Sequence, residues 1–335
     1  MNEQPGNPTG RVVLLTGGAG YIGSVLVGHL VQAGFSVRIL DKFFFGTPLV
    51  SETKVSIIQK DTREITKEDL VGVTDVIDLA AISNDPAGDL VKDLTLDINF
   101  RARKRLQEIC VTAGVQRYIL ASSCSVYGFQ DEVVDERSSI NPLTTYAEAN
   151  AMSEQSALSL VGSGTVFTAV RQATVYGASS RMRYDLVVNA MALNVIQGNP
   201  LKVLRDGMQW RPLVHVADTS RAMLRILQSD PSIIDGQIFN VGSDEQNLTI
   251  LEIAEQVSTA LGKEVNIEWY GDPDHRSYKV SFEKIRDSLD FLPQMSIPEA
   301  ALEIAAGFNS GTLSPKPQNY TLAWYQKLLS DGQIG

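Results

Sequence analysis

A glycine-rich stretch near the start of the chain, LTGGAGYIGS over residues 15–24, has the composition of a phosphate-binding turn. The apolar run Val12–Leu15 before it predicts a short buried strand, and the apolar spacing of Val25–Val31 after it predicts a helix. A helix that begins at such a turn presents free N–H groups and the positive end of its dipole to a phosphate. The strand, turn and helix together predict the start of a dinucleotide-binding fold.

Three glycines and one carboxylate give this site its expected specificity. Gly17 permits a tight turn, Gly20 lets the backbone approach a pyrophosphate, and Gly23 allows the helix to pack closely on the strand. The second predicted strand, Ser36–Leu40, ends at Asp41, about 20 residues after the glycines. A carboxylate at that position can accept hydrogen bonds from both hydroxyls of the adenosine ribose, whereas it would repel a 2′-phosphate. The sequence therefore favours NAD over NADP as the cofactor.

Further cofactor contacts are expected where later strands end. Val55–Gln59 predicts the third strand, and Asp61-Thr62 after it are candidate adenine contacts. Val76–Ala81 predicts the fourth strand, and a long helix is expected over Leu94–Ala113. The residues assigned to the cofactor site at these places and in the glycine turn are Tyr21, Ile22, Asp61, Thr62, Leu79, Ala80, Ala81 and Asn99.

The alternation of strands and helices continues through Tyr118–Ala121, Tyr146–Leu160 and Val166–Arg171. Such alternation predicts right-handed βαβ units, and hence an α/β fold with a Rossmann-like, doubly wound parallel sheet. The rhythm changes near Thr174, which predicts a smaller C-terminal α/β lobe for the substrate. The expected boundaries are 11–173, with 214–242 returning, for the first domain, and 174–213 with 243–330 for the lobe.

The composition is that of an ordinary globular protein, with 44% hydrophobic and 20% charged residues in a chain of 335. The net charge of −10 disfavours nonspecific binding to nucleic acid or to an anionic membrane surface. The basic cluster of Arg101, Arg103, Lys104 and Arg105 is expected to be a solvated helix face. Two cysteines predict no disulfide, three histidines lack metal-ligand spacing, and residues 1–10 are expected to form a flexible tail without signal-peptide character. We therefore expect a cytoplasmic protein with no bound metal and no membrane span.

Several motifs occur together with the glycine turn, and they do so in a fixed order. They are SSCSVYG over 122–128, PLTTYAEAN over 142–150 and VYG over 175–177. This combination resembles the extended short-chain dehydrogenase/reductase family, and more closely its NAD-dependent nucleotide-sugar epimerase/dehydratase branch. The resemblance runs from about Arg11 to Phe291.

The resemblance implies a pair of catalytic hydroxyls. Tyr146 matches the general base, and Ser123, four residues before Tyr127, matches the residue that hydrogen-bonds the reacting oxygen. A tyrosine can take the proton from a sugar hydroxyl while hydride leaves the same carbon for the nicotinamide. The serine would hold the oxygen whose proton is leaving.

The lysine that this family places one helical turn after the tyrosine is absent, because position 150 is Asn150. The family's lysine holds the nicotinamide ribose and lowers the pKa of the tyrosine. Asparagine can still hydrogen-bond the ribose but carries no charge, and at its usual pKa of about 10 only about one tyrosine in a thousand is phenolate at pH 7. Three alternatives stay open: another cation and the nicotinamide ring compensate, the chemistry is slow or different, or the chain is a non-catalytic sensor or scaffold.

The residues after Ser123 distinguish the reactions of this branch. Its 4,6-dehydratases carry Asp-Glu directly after the hydroxyl residue, its decarboxylases keep a Glu at the second of these positions, and its 3,5-epimerases place a cysteine there. Here the two positions are Cys124 and Ser125. The resemblance therefore favours reversible oxidation at one carbon, with C4 epimerisation first. A reductase, a dehydratase that uses Cys124 as its acid, and a purely structural role for Cys124 remain alternatives.

The resemblance also implies a nucleotide-diphosphate sugar, UDP- or GDP-linked, bound by the smaller lobe. Asn189, Arg211 and Arg276 match family positions that hold the diphosphate, and guanidinium groups pair bidentately with phosphate oxygens. Thr174 replaces the usual asparagine before Val-Tyr-Gly. The family implies a homodimer, formed through the two helices predicted over 94–113 and 146–160. The expected substrate site consists of Ser83, Ser123, Tyr146, Thr174, Asn189, Arg211 and Arg276.

Overall fold

The structure is a computed structural model that describes residues 8, 10–46, 53–272 and 277–334. Its strands are β1 Val12–Thr16, β2 Ser36–Asp41, β3 Val55–Gln59, β4 Asp75–Asp78, β5 Arg117–Ser123, β6 Val133–Val134, β7 Val166–Gln172, β8 Thr174–Tyr176, β9 Leu201–Leu204, β10 Trp210–His215, β11 Gln237–Val241, β12 Asn247–Thr249, β13 Ile267–Tyr270 and β14 Lys279–Val280. Its helices are α1 Gly23–Gln32, α2 Asp85–Leu90, α3 Lys92–Leu96, α4 Arg103–Ala113, α5 Thr145–Leu158, α6 Val187–Gln197, α7 Val216–Gln228, α8 Pro231–Ile234, α9 Ile250–Ala260, α10 Glu283–Leu289, α11 Ile297–Asn309 and α12 Thr321–Ser330.

A seven-stranded parallel sheet forms the centre, in the order β11-β7-β5-β4-β1-β2-β3. Strands β2 and β3 follow on one side of β1, and β4, β5, β7 and β11 follow on the other, so the strand order reverses direction at β1. Ligands of such open sheets bind beyond the carboxyl ends of the strands at this switch point. The predicted doubly wound α/β fold is confirmed, and the glycine turn follows β1 at that place.

The two faces of the sheet bury separate apolar clusters. Val13 and Leu15 of β1 point to the face covered by α1 and α7, whereas Leu14 points to the face covered by α4 and α5. Side chains alternate along a strand, so this short apolar run supplies both clusters. Each of the three side chains is fully buried, as expected for a strand with helices on both sides.

A third cluster lies outside the sheet, among α6, α9 and α11. Small three- and two-stranded sheets, β12-β10-β8 and β13-β9, accompany it. We propose that this cluster marks the smaller lobe expected over 174–213 and 243–330. Among the residues that the structure describes, no helix is both long and apolar enough to cross a membrane.

The fourth strand is shorter than predicted, because it ends at Asp78 instead of Ala81. Beyond Asp78 the chain is held by Thr16: Leu79 N donates to the Thr16 carbonyl at 3.2 Å, and Ala80 N donates to Thr16 Oγ1 at 3.2 Å. A side-chain hydroxyl thus replaces the regular strand pairing, and residues 79–81 become a loop beside the glycine turn.

The predicted helix over Leu94–Ala113 is interrupted by a π-helical segment, Asp97–Ala102, between α3 and α4. Two side-chain contacts accompany the wider turn. Ser153 Oγ donates to the Asn99 carbonyl at 2.7 Å, and the Asn99 amide bonds both backbone groups of Ile82. Segments of this kind form where a side chain enters the helical ladder, and they are frequent at functional sites.

Helices α2 and α11 are among those that were not predicted from the sequence. Helix α2 begins at Asp85, where Asn84 Oδ1 accepts from Ala87 N at 2.9 Å. Helix α11 begins with a capping box in which Ser296 and Glu299 bond each other's backbone N–H groups. The Ser-x-x-Glu spacing before an apolar run is a sequence signal for such a start.

A buried ion pair joins α5 to the central sheet. Arg171 of β7 donates to both carboxylate oxygens of Glu154 at 2.7–3.2 Å, and the two side chains are only 5% and 4% exposed. Ser122 of β5 also donates to Glu154, and Arg171 donates to the Tyr127 hydroxyl at 2.9 Å. The network ties the middle of α5 to β5 and β7.

We expect Glu154→Ala to lower the free energy of unfolding by about 3–5 kcal/mol, because it leaves the buried Arg171 guanidinium without its counter-ion. Urea unfolding followed by tryptophan fluorescence measures this. Arg137→Ala is the matched control: it removes an ion pair with Asp135 in which the arginine side chain is 93% exposed, and a change below about 1 kcal/mol is expected. Equal losses in the two variants would contradict the structural role of the buried pair.

Candidate active site

The glycine turn packs so closely against neighbouring backbone that Gly17, Gly20 and Gly23 leave no space for a side chain. Gly17 has a φ of +67°, and a Cβ there would lie 2.9 Å from the backbone of Ala80. A Cβ on Gly23 would lie 2.5 Å from the Gly17 carbonyl oxygen, and one on Gly20 would lie 3.0 Å from the same atom. The backbone at the N-terminus of α1 is therefore open to a ligand, as expected for a pyrophosphate site.

Asp41 lies at the end of β2, beside this turn. Its carboxylate accepts from Ala19 N at 3.0 Å and from Phe43 N at 2.7 Å. Burial raises the pKa of the Asp41 carboxyl, and these backbone N–H groups act in the opposite direction. The carboxylate is thus fixed by the backbone and faces the cavity beside the turn.

The first cavity extends from the glycine turn along the carboxyl ends of β1, β2 and β4. Most residues assigned to the cofactor from the sequence line it: Gly17, Gly20, Tyr21, Ile22, Gly23, Asp41, Asp61, Thr62, Leu79, Ala80, Ala81 and Tyr146. A dinucleotide site requires glycines without space for side chains, a carboxylate held in place to bind the ribose, and the N-terminus of a helix. These residues therefore fit NAD.

A second cavity lies between the sheet and the third apolar cluster. Several residues assigned to the substrate line it: Ser83, Ser123, Tyr146, Thr174 and Arg211. Further lining residues shared with the first cavity are Ile22, Gln172 and Arg183, together with Ser83 and Tyr146. The two cavities therefore meet at Tyr146.

Tyr146 occupies the first turn of α5. Thr144 caps the helix, because its Oγ1 accepts from Ala147 N at 3.2 Å and donates to Asp85 at 2.6 Å. Gly88 of α2 packs so closely that a Cβ there would lie 2.9 Å from Tyr146 Cβ. Burial raises the pKa of the Tyr146 phenol, and the positive charge of Arg103 is the largest influence in the opposite direction.

Ser123 faces Tyr146 from the end of β5. Its hydroxyl accepts from Ser125 N at 3.1 Å, which leaves the hydroxyl proton free to be donated. The polar side chains of Ser123 and Asn150 also lower the pKa of the Tyr146 phenol. The predicted pair of hydroxyls is brought together where the cavities meet.

Asn150 lies one turn after Tyr146 and is fully buried, so it does not face the first cavity as expected for a ribose contact. Its Oδ1 accepts from Arg103 Nη1 at 2.9 Å. Arg103 was expected on a solvated face with Arg101, Lys104 and Arg105, but it is only 3% exposed and lines the first cavity. Arg103 directly follows the π-helical segment and is the first residue of α4.

Besides Asn150, three further residues assigned from the sequence line neither cavity. Cys124 is fully buried with its Sγ 3.3 Å from the Arg171 carbonyl, and burial raises the pKa of its thiol. Asn99 is used in holding Ile82, as described above. Asn189 is fully buried, accepting from Gly177 N at 2.9 Å and donating to the Arg183 carbonyl at 2.9 Å. Their amides and thiol support the backbone behind the site. Arg276 lies outside the described residues.

An arginine cluster at the junction of the cavities was not identified from the sequence. Arg183 is bound by Asp185 at 2.6 Å and reaches Ser83 Oγ at 3.3 Å, while Asn84 Nδ2 donates to Asp185 at 3.1 Å. Asp185 and Asn84 line the second cavity together with Arg183. The run Arg181-Met182-Arg183 was the only sequence signal, and charge alone does not reveal that both arginines are buried beside the first cavity.

The C-terminal helix α12 closes the far side of the first cavity. Trp324 Nε1 donates to the Phe44 carbonyl at 2.7 Å, and Tyr325 lines the cavity. The Arg181 guanidinium stacks 3.8 Å from the centre of the Phe45 ring, and its Nε and Nη1 are buried without a hydrogen-bond partner. Burial lowers the pKa of Arg181 to about 10. The contact of Trp324 with Phe44 joins residues 280 positions apart, which no local pattern predicts.

Comparisons with known proteins agree with this geometry. Residues 13–242 match the model of the NAD dependent epimerase/dehydratase family. UDP-glucuronic acid decarboxylase 1 of Arabidopsis thaliana is 25% identical, with 92% of this chain and 74% of the relative covered. UDP-glucose 4-epimerase of Corynebacterium glutamicum is 26% identical, with 89% and 95% covered. The solved structure of MoeE5 in complex with UDP-glucuronic acid and NAD is 27% identical, with a TM-score of 0.81, and covers 89% of this chain and 99% of that chain.

The family match begins within β1 and ends just after β11, so it spans the whole central sheet and both predicted catalytic hydroxyls. The family is NAD-dependent, and the glycine turn, Asp41 and the first cavity have the form that NAD requires. The chain therefore belongs to the NAD dependent epimerase/dehydratase family and is an enzyme that uses NAD.

Proposed function

We propose that this enzyme epimerises a nucleotide-linked sugar, at C4, by transient oxidation of one carbon to a ketone. The observation that carries the proposal is the position of Tyr146, which lines both the NAD cavity and the second cavity with Ser123 beside it. At a sugar carbon next to Tyr146, the hydroxyl group can lose its proton to the tyrosine. The same carbon can lose its hydrogen as hydride to the cofactor.

The chain supplies the proton transfer. Ser123 donates a hydrogen bond to the reacting oxygen, and Tyr146 as phenolate accepts the hydroxyl proton. NAD, held by the residues that line the first cavity, would supply the acceptor and donor of the hydride at the same carbon. For epimerisation the sugar must present its other face before the hydride returns, and Tyr146 then gives back the proton.

The cations of the second cavity support a diphosphate substrate. Lys202 and Arg211 line this cavity on the side of the smaller lobe, and Arg183 lines it at the junction. Guanidinium and ammonium groups bind phosphate oxygens through charge-assisted hydrogen bonds. Relatives named for UDP-linked sugars support a UDP-sugar as the first substrate to test.

The hydroxyl-rich segment favours epimerisation over elimination. Ser125 lines the second cavity at the place where a decarboxylase or dehydratase of the family was expected to carry a carboxylate, and Cys124 points into the core. No acid from 124–125 therefore faces the sugar. Product analysis separates the alternatives, since decarboxylation releases CO₂, dehydration releases water and epimerisation leaves the mass unchanged.

We expect Tyr146→Phe to reduce kcat for a UDP-sugar by about 10²–10⁴-fold, because the variant lacks the proton acceptor. The NAD content of the purified protein, measured by chromatography of the released nucleotide, should stay near that of the unmodified enzyme. Tyr320→Phe is the control, since Tyr320 is 39% exposed and lines neither cavity. Full activity of Tyr146→Phe would contradict the proposal, as would NAD-loaded protein that changes none of the UDP- and GDP-sugars supplied.

We expect Asp41→Ala to weaken NAD binding by about 10–100-fold, because two ribose hydroxyls lose their acceptor. Binding of NADP should weaken much less or improve, since the repelling carboxylate is gone. Calorimetric titration of nucleotide-free protein with each dinucleotide measures the ratio. Asp287→Ala is the control, because Asp287 has a 68% exposed side chain on α10. An unchanged NAD/NADP ratio in Asp41→Ala would refute this role of the carboxylate.

A further inference from the structure

Asn150 stands where this family usually has a lysine, so the positive charge of that lysine is absent. The structure nevertheless places another cation, Arg103, beside Asn150. Arg103 of α4 reaches across to α5, and its Nη1 donates to Asn150 Oδ1 at 2.9 Å. The arginine is 3% exposed and lines the NAD cavity. It is separated from Asn150 by 47 positions in the chain.

Arg103 is paired with a buried carboxylate, that of Asp78, but the two groups are not in hydrogen-bond contact. Its nearest carboxylate is Asp78, with 3.9 Å between Arg103 Nε and Asp78 Oδ2. That carboxylate already accepts from Thr16 Oγ1 at 2.5 Å and from the Tyr118 hydroxyl at 2.5 Å. Arg103 Nε is buried without a hydrogen-bond partner. A buried cation with a free donor is able to interact with a further anion.

Tyr146 is the group placed to become that anion. It lies four residues before Asn150 on α5, so the two side chains occupy the same face of the helix. The charged groups that face Tyr146 are Arg103 on α4, Asp85 on α2 and Arg183 before α6. Arg183 is engaged by Asp185 at 2.6 Å, whereas Arg103 has no carboxylate in hydrogen-bond contact.

We propose that Arg103, oriented by Asn150, supplies the positive charge that stabilises the phenolate of Tyr146 during proton transfer. Arg103 is a positioning residue that acts through Tyr146, and its role rests on the proposed function of that tyrosine. In the oxidation step the sugar O–H bond breaks and its proton goes to the phenolate oxygen of Tyr146.

Hydrogen bonds on either side of Arg103 in the chain hold its helix against α5. Gln107, one turn after Arg103, donates to the Ser153 carbonyl of α5 at 3.2 Å. Ser153 in turn donates to the Asn99 carbonyl in the π-helical segment. These contacts lock α4 against α5 on both sides of the Arg103–Asn150 bond, so the charge can act on Tyr146 without induced movement.

The test measures ionisation directly. NAD-loaded protein is labelled with 3-fluorotyrosine, which brings the phenol pKa into an accessible range, and the ¹⁹F resonance of residue 146 is assigned by its loss in Tyr146→Phe. We expect Arg103→Met to raise the pKa of that residue by about 1 unit or more, equivalent to about tenfold less phenolate. The control is Arg101→Met on the same helical stretch, where the arginine side chain is 62% exposed. Equal pKa values in Arg103→Met and the unmodified protein would overturn the proposal.

A rescue experiment separates charge from packing. Arg103→Met should reduce kcat at pH 7 by about tenfold or more and move the alkaline rise of the pH–rate profile upward by the same shift. Adding Asn150→Lys to it should restore both, because the charge returns from α5. Asn150→Lys alone should gain less than tenfold, since a cation is already present. Arg103→Lys keeps the charge at this position and is the control for a folding defect in Arg103→Met. A raised pKa of residue 146 in Arg103→Met, together with an unchanged pKa in Arg103→Lys, supports the proposal.

Failure of the sugar chemistry would be distinguishable from failure of this inference. If no nucleotide sugar reacts, the ¹⁹F titration still reports whether Arg103 controls the ionisation of Tyr146. If sugars react but the titration and the rescue show no effect of Arg103, the inference is refuted while the proposed function stands.

Discussion

The buried ion pair between Arg171 and Glu154 is the interaction on which the site depends. It fixes α5 against β5 and β7, and α5 carries Tyr146 in its first turn. Each charge satisfies the other in a place that water does not reach, so any shift of the helix would leave hydrogen bonds unmade. Because the pair binds through two parallel N–H···O contacts, it also sets the rotation of α5 about its axis. The direction of Tyr146 into the junction of the cavities follows from that rotation.

The cofactor side was predictable because it is governed by local backbone constraints. Gly17 needs a positive φ, and Gly23 needs room next to a carbonyl oxygen, so neither position accepts a side chain. Strands β1, β2, β3 and β7 lie within one residue of their predicted bounds, since short apolar runs between turn residues leave few alternatives. Asp41 could be placed as well, because it directly follows a strand whose end is fixed by the sheet.

The catalytic side was only partly predictable, since orientation there depends on distant partners. Asn189, Cys124 and Asn99 occupy positions that suited a ligand, but each side chain is used by backbone or core groups elsewhere. Arg103 shows the opposite case. A run of basic residues in a helix has the pattern of a solvated face, and only the π-helical segment and the contact with Asn150 reveal that one member is buried.

The exchange of lysine for asparagine therefore need not remove the chemistry of the site. What a tyrosine base requires is a nearby positive charge in a place of low dielectric, and the chain position of that charge is immaterial. Moving the charge from α5 to α4 does change its nature: a guanidinium is planar and holds several fixed hydrogen bonds, whereas an ammonium on a flexible stem can follow its partner. Asn150 then has a new task, because its Oδ1 orients the arginine that acts in place of a lysine. Asn150 departs from the lysine of the sequence motif, but in the structure it forms with Arg103 a hydrogen-bonded pair that joins α5 to α4.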